Sequence, residues 1–489
     1  MEVYKKAFKY AQSLFENKVI NVIHYFDLQI SRNLKNEGIK TRPAKSNGVW
    51  CCVLLPAVLI IYTIQQNVSP LYKLAAFCSV GLLFYCFLFI IFMSISCLVL
   101  KDKMFGGCVA SGLLGTLTLY TFSEQDISVC LLIAMPNIYL FNILLRMAIM
   151  RCPKTFTIGE AMVVVQSIVL FTSMSITKLA LQLHDKVDDE LEFVTKIVYA
   201  ILSTVGLIVT ALFLVSDKYR NTSGLGYIFF GAAIYGLVVL HMTLGWTCLP
   251  TIFHYIFGHK DRSQLFAFWL AMSILSAFVI MIRTNLAVKA DTVTRKTFHI
   301  LASLVFMSGI LTDIHLMTFA AGFGLGMLVL LEALRISKIE PISGALHNAF
   351  LIYSDEKDAG VFAMTPVYLY AGLAGPLLIA YGSRIELLSG VLATGVGDTA
   401  ASWFGSRYGR IAWPDSSKTF EGTVFNVLSQ MATVYALTIF DLLPDRNCLV
   451  RTAVAATATA LVEATTDQVD NLVLPLVNML AYQATWFLR

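Results

Sequence analysis

Charge is what this 489-residue sequence has least of: only 14% of its residues are Asp, Glu, Lys or Arg, against roughly 25% in soluble globular chains. With 57% apolar residues and a mean hydropathy of +0.72, that deficit excludes an ordinary soluble domain and points to a chain embedded in lipid. Paired cysteines are also missing. The ten cysteines include no CxxC, Cys51 and Cys52 are adjacent, and Cys78, Cys86, Cys97 and Cys130 lie inside apolar runs, which excludes a disulfide framework or a zinc site. No arginine-rich or zinc-finger segment accompanies the net charge of +5. The basic excess therefore reads as a membrane-orientation signal, and nucleic acid is not an expected partner. A signal peptide is not expected either. The first 46 residues hold nine Lys/Arg, among them Lys5, Lys6, Arg32, Lys35 and Lys45, and the first long apolar run begins near Trp50. This order fits a cytosolic or interfacial arm better than a cleaved leader.

What is present is a long series of apolar windows. A membrane-spanning helix needs about 20 such residues, because ~1.5 Å per residue must cover a hydrocarbon core of ~30 Å. Windows of that kind occur near 48–66, 73–98, 104–122, 127–150, 159–182, 194–215, 225–247 and 265–287. They continue near 298–312, 316–334, 362–380, 385–404, 422–441, 447–462 and 471–488. The expectation is an all-α, polytopic transmembrane helical bundle with about fifteen spans (about 13–17). The expected division is 1–47 as the basic arm, 48–287 as an N-terminal multi-span region and 288–489 as a membrane region that holds the polar segments below and, from them, is expected to be catalytic. With the arm cytosolic, most loops on that side carry the greater share of Lys/Arg, for instance Lys101 and Lys103, Arg151 and Lys154, or Lys218 and Arg220, as the positive-inside rule expects. The loop 254–263, with Lys260 and Arg262, runs against the pattern.

From Asp291 onward four polar segments are too rich in charge and glycine for plain connectors. The first runs from Ala393 to Thr423. Asp398 sits in an otherwise apolar stretch, where an ionised carboxylate costs several kcal/mol unless compensated. A divalent cation is one natural compensation; pairing with a neighbouring helix is the other reading. Downstream, Gly405 and Gly409 permit a tight loop beside Arg407 and Arg410, and Ser416, Ser417, Lys418 and Thr419 offer hydroxyls and amides to an anion. This is not a Walker A loop, since GxxxxGK[ST] is absent, and there is no HRD or DFG signature. The familiar soluble kinase folds are excluded.

The second segment places Glu463, Asp467 and Asp470 at i, i+4 and i+7, one face if the stretch is helical. No Lys or Arg lies between Arg451 and Arg489, so like charges there ask for a cation or a basic partner; a solvated acidic loop is the alternative. The third, Arg295-Lys296-Thr-Phe-His299, enters a span. Its cations suit either snorkelling at a helix end or phosphate, and His299 suits phosphate binding or proton transfer. The fourth, Asp355 to Gly360, reads equally as an exposed turn or a functional loop. Two spans separate each segment from the next in chain order, so all four are expected to emerge on one membrane face.

The run Gly397-Asp-Thr-Ala-Ala-Ser, Gly405, Gly409 and Lys418-Thr-Phe-Glu-Gly-Thr423, taken with Arg295–His299 and Glu463…Asp467-Gln-Val-Asp470-Asn-Leu, closely resembles the dolichol kinases. The wider polyprenol and phytol kinases and the related phosphatidate cytidylyltransferases share parts of the pattern. The resemblance covers about residues 290–489. It implies CTP as phosphate donor, dolichol as acceptor, Mg2+ or another divalent cation, and an endoplasmic reticulum membrane protein with its active site facing the cytosol. The nucleotide loop of that family carries over onto Arg407–Thr423, and so onto Ser416, Ser417, Lys418, Thr419, Glu421, Gly422 and Thr423. On this reading Lys418 and Arg407, with Arg295 and Lys296, meet the triphosphate, and Asp398 with Asp467 or Asp470 holds the metal. Asp470, Glu463 or His299 takes the alcohol proton. A secondary transporter is the rival outside enzymes.

Overall fold

The computed structural model describes residues 21–101, 105–181, 189–286, 292–354, 358–380, 383–414, 416–444 and 446–489. Lys5, Lys6, Lys103, Asp291, Asp355, Glu356 and Lys357 lie outside the described residues. The described chain is helical throughout, with a single isolated bridge between Ala412 and Thr419 as its only strand-like pairing.

The chain divides into two compact units. The first comprises residues up to Asp185 with Ala359–Val361, the second Lys186–Asp358 and Phe362–Arg489. The first unit holds α1 (Asn21–Asn36), α2 (Leu54–Gln65), α3 (Pro70–Ile95), α4 (Phe105–Phe122), α5 (Ile127–Arg151) and α6 (Ile158–Ala180). α6 starts with a capping box in which Thr157 and Glu160 satisfy each other's backbone amides. The Glu160 carboxylate is also gripped by Arg42, whose Nε and NH2 donate to its two oxygens at 3.0 and 2.6 Å. Arg42, near the end of the basic arm, is thereby tied to the start of α6.

The second unit begins with α7 (Asp189–Leu214), α8 (Thr222–Leu244), α9 (Cys248–Phe257), α10 (Lys260–Leu286), α11 (Thr292–Thr312) and α12 (Ile314–Ile336). It continues with α13 (Ile342–Tyr353), α14 (Met364–Ile379), α15 (Thr399–Tyr408), α16 (Phe420–Ile439), α17 (Cys448–Thr465) and α18 (Asp470–Ala484). The expected window 385–404 is not one helix. It consists of a single turn, Arg384–Leu387, then a π-helical stretch, Val391–Asp398, then α15. π turns are rare and concentrate at functional positions; this one ends on Asp398.

Among the described residues nine helices are long and apolar enough to cross a membrane: α3, α4, α5, α6, α7, α8, α10, α12 and α17. This is a polytopic membrane protein, with fewer such helices than the fifteen windows expected. The other windows are helical too, but α2, α14 and α18 are short, and α11 and α16 carry polar residues. The physical reason lies in packing. α18 is buried from Asn471 through Leu476, α16 lies against α15 and α17, and α18 lies against α14 and α17. A helix whose neighbours are protein needs neither the length nor the uniform apolarity that lipid demands.

Candidate functional site

Six helices of the second unit line one cleft of about 440 Å³. α11 brings Arg295, Lys296 and His299 from its first turns, α14 brings Thr365, α16 brings Gly422 and Thr423, and α18 brings Asp470 and Asn471. α15 adds Ser402, Gly405 and Ser406 along its length, and α17 adds Glu463 near its end. α14, α16 and α18 reach the cleft with their first turns, where the positive end of the peptide dipole favours an anion.

The loop between α15 and α16 is shaped by its own backbone. Phe420 N donates to Ile411 O at 2.8 Å and Trp413 N to Lys418 O at 2.9 Å, closing it into a narrow hairpin-like turn. Ser416 Oγ accepts from Lys418 N at 3.1 Å, and Thr419 caps α16 by accepting from Gly422 N at 3.2 Å. Trp413 Nε1 donates to Thr423 Oγ1 at 2.9 Å and Ile411 N to Glu421 Oε2 at 3.2 Å, fastening the turn to the first turn of α16. Ser417, Lys418 and Thr419 consequently line the cleft. Asp415 lies outside the described residues.

Inside the cleft, carboxylates and ammonium groups interleave. Lys296 Nζ donates to Asp398 Oδ2, the aspartate being almost wholly buried. Lys418 Nζ donates to Glu463 Oε1 at 2.8 Å and lies 3.6 Å from Asp470 Oδ2. Burial pushes the Lys418 ammonium down, but the carboxylates of Asp470, Glu463 and Asp398 outweigh it and hold its pKa above the ordinary lysine range. Lys418 therefore stays charged. His299 is buried on the same wall, its Nδ1 3.2 Å from the carbonyl of Arg295. A carbonyl only accepts, so a neutral imidazole making this bond carries its proton on Nδ1 and leaves Nε2 as an acceptor.

Close approach explains the glycines before Asp398. A Cβ at Gly395 would overlap Ser303 Oγ on α11, and one at Gly397 would overlap Asn426 Oδ1 and Gln430 Nε2 on α16. Glycine lets the π stretch sit between these helices and deliver Asp398 to the cleft.

Most of the residues singled out from the sequence meet here, and some do not. Arg295, Lys296, His299, Asp398, Gly405, Ser417, Lys418, Thr419, Gly422, Thr423, Glu463 and Asp470 all line the cleft. Gly409, Ser416 and Glu421 shape the turn from behind. Arg407 does not line the cleft; its guanidinium lies 5.8 Å from the Trp403 ring centroid. Asp467 is likewise outside the lining. The helical face expected for Glu463, Asp467 and Asp470 is broken, because α17 stops at Thr465 and α18 starts at Asp470. Asp467 sits in the connection, where its Oδ1 accepts from Gln468 Nε2 at 3.1 Å. Of the fourth segment, Asp358 supports the site from outside: its Oδ1 accepts from Thr365 N at 3.1 Å.

Sequence reading missed Asn426 and Gln430, wholly buried on α16, and their partners Thr459 and Asn478. Their signal was available: two amides four residues apart in an apolar window mark one polar stripe of a helix. It also missed Glu190, Asp313 and His315, whose ligating atoms cluster together. That group is crossed by Arg262, which bonds both Glu190 and Asp313, and reads as a structural clamp.

The profile described as Dolichol kinase matches residues 76–371. The chain belongs to the dolichol kinase family. It is 30% identical over 401 residues to the dolichol kinase of Bos taurus, covering 77% of this chain and 74% of that one. The Homo sapiens dolichol kinase is 30% identical over 400 residues, with the same coverage. Dolichol kinase EVAN of Arabidopsis thaliana is 30% identical over 225 residues, 44% of this chain and 39% of that one. No solved structure matches. The likeness to the dolichol kinases extends well upstream of residue 290, beyond the reach expected from motifs. Apolar spans carry few distinctive residues, so only a full-length comparison finds likeness there.

Proposed function

We propose that this chain phosphorylates the terminal hydroxyl of dolichol, using CTP as donor, to give dolichyl phosphate for protein glycosylation. The observation that carries the reading is the cleft in which Arg295, Lys296 and Lys418, with the first turns of α14, α16 and α18, face Asp398, Glu463 and Asp470. Phosphoryl transfer asks mainly for positioning and for neutralisation of charge on the moving group, and this lining offers both. Lys418 and Thr419, at the start of α16, bind the triphosphate, assisted by Lys296 and Arg295 from α11. Lys296 pairs with Asp398 and Lys418 lies between Glu463 and Asp470, each ready to exchange a carboxylate partner for a phosphate oxygen.

A divalent cation suits the lining, because Asp398 and Asp470 offer the hard oxygen donors that Mg2+ takes and open on the same cleft as Lys418. Bound there, it would neutralise charge on the donor phosphates. Glu463, Asp470 or His299 accepts the proton of the alcohol. The acceptor's isoprenoid tail lies in lipid or between helices, which accounts for a kinase built from membrane helices. We place the protein in the endoplasmic reticulum membrane with the cleft toward the cytosol, in keeping with the basic arm and the positive-inside pattern.

The test is transfer of label by the purified full-length protein in detergent, offering dolichol with γ-labelled CTP or γ-labelled ATP. The expected result is label in extractable lipid, CTP outcompeting ATP, with CDP as the leaving nucleotide. Release of pyrophosphate with CMP on the lipid would make the protein a cytidylyltransferase, and no lipid label with either donor would end the reading.

A further inference from the structure

Resting on that function, the inference concerns which group activates the acceptor and what holds it. Glu463 is gripped on both oxygens by donors from different elements. Lys418 Nζ donates to Oε1 at 2.8 Å, and Asn426 Nδ2 donates to Oε2 at 2.7 Å. Accepting on both oxygens is the pattern of an ionised carboxylate, which has lone pairs to spare for a further donor. Asn426 is itself fixed: its Oδ1 accepts from Gln430 Nε2 at 2.6 Å. Gln430 in turn donates to Thr459 Oγ1 and accepts from Asn478 Nδ2, both at 3.3 Å.

All four of these supporting residues are wholly buried, and the chain of amides has one direction. Asn478 donates to Gln430, Gln430 to Asn426, and Asn426 to Glu463, so the aligned amide dipoles end on the carboxylate. Reversing either amide would set like against like, oxygen to oxygen or N–H to N–H. Gly397, two residues along from the Gly395 contact and next to Asp398, leaves the room that Asn426 and Gln430 occupy. The same π stretch thus shapes both the metal-facing aspartate and the network behind Glu463.

We infer that Asn426 and Gln430 are positioning residues that hold Glu463 oriented toward the cleft, where it accepts the proton of the acceptor alcohol. In the transfer, the alcohol O–H bond breaks and its proton passes to a Glu463 oxygen. The alcohol oxygen bonds the terminal phosphorus of the donor while the bond from that phosphorus to the bridging oxygen breaks, and the electron pair leaves on the nucleoside diphosphate. A network that only glued helices together would affect folding and leave kcat per folded molecule alone.

The experiment is a double-mutant cycle on the purified full-length chain, reading kcat, both KM values, CTP binding and thermal melting. Glu463→Gln is expected to lower kcat by roughly 10²–10³-fold, the scale of a lost general base. Asn426→Ala is expected to lower it by roughly 30-fold, with both KM values and CTP binding within about twofold. In the Glu463→Gln background, Asn426→Ala should cost less than about threefold more, because the group it positions is already gone. If Asn426→Ala does not yield a folded protein, Gln430→Leu, which keeps the volume, is the second variant, with a roughly fivefold loss in the same pattern. Losses that multiply in the double variant, or a lowered melting point with unchanged kcat, overturn the positioning role. Such a result with an active wild type leaves the kinase reading standing, whereas a wild type that labels no lipid sinks both.

Discussion

Two kinds of ion pair are built into this membrane protein, and they differ in what surrounds them. In the first unit, Arg42 and Glu160 are 3% and 0% exposed, and Glu160 also accepts from Thr157 N at 2.9 Å. Within the second unit, away from the cleft lining, Arg451 and Glu386 are both wholly buried, with Gln483 Nε2 on the other Glu386 oxygen at 2.6 Å. The cleft pairs are different: Lys418 is 34% exposed against Glu463, and Lys296 is 15% exposed against Asp398. Arginine's planar fork suits a closed, permanent pair, while a lysine ammonium on a flexible stem can change partners. The guanidinium pairs read as architecture, and the ammonium pairs as the ones that, on the proposed function, exchange a carboxylate for phosphate.

That contrast can be broken by experiment. The largest effect is expected from Asp398→Asn, which should lower turnover by at least ~10³-fold while the protein still inserts and melts as the wild type does, if metal and phosphate neutralisation depend on it. Wild-type turnover in that variant would discard Asp398 as a metal-facing group. Lys418→Met should lower kcat/KM for the nucleotide by about 10²–10³-fold, the cost of removing a charge-stabilising donor; an effect confined to melting temperature would make its pair architectural.

Glu160→Gln reverses the expectation. It leaves the Arg42 guanidinium buried without its counter-charge, at a cost of about 3–5 kcal/mol in stability, read by thermal or denaturant unfolding. The protein that remains folded should turn over within about twofold of wild type, since neither Arg42 nor Glu160 lines the cleft. A selective loss of turnover would mean that this pair is not merely structural. The smallest effect belongs to Arg407→Ala. With the side chain over Trp403 rather than in the cleft, roughly 0.5–1 kcal/mol of cation–π contact is at stake. The nucleotide KM should stay within about threefold, and a rise comparable to that of Lys418→Met would put Arg407 back on the triphosphate.

Much of the site was legible because charge is costly in an apolar sequence. Asp398, Lys418, Glu463 and Asp470 stood out against their surroundings, and the structure gathers all four. Asp467 stood out equally and lies elsewhere, because periodicity assumes a continuous helix and this one breaks at Thr465. Arg407 was assigned to the triphosphate as the start of the family's nucleotide loop, yet the turn that directs Lys418 inward leaves Arg407 beside Trp403. Neutral amides such as Asn426 and Gln430 raise no such alarm, although burial makes their bonds as consequential as a charge.

By itself the sequence determined that this chain is a many-helix membrane protein, and which polar segments stand out as candidates for chemistry. Those follow from composition and local pattern, since transfer of each residue into lipid has a free energy that depends mainly on its type. Only the tertiary structure decided which carboxylate faces which ammonium, where the 385–404 helix breaks, and which buried amides stand behind Glu463. Such pairings depend on distances of a few ångströms between segments tens of residues apart, and no local pattern encodes them.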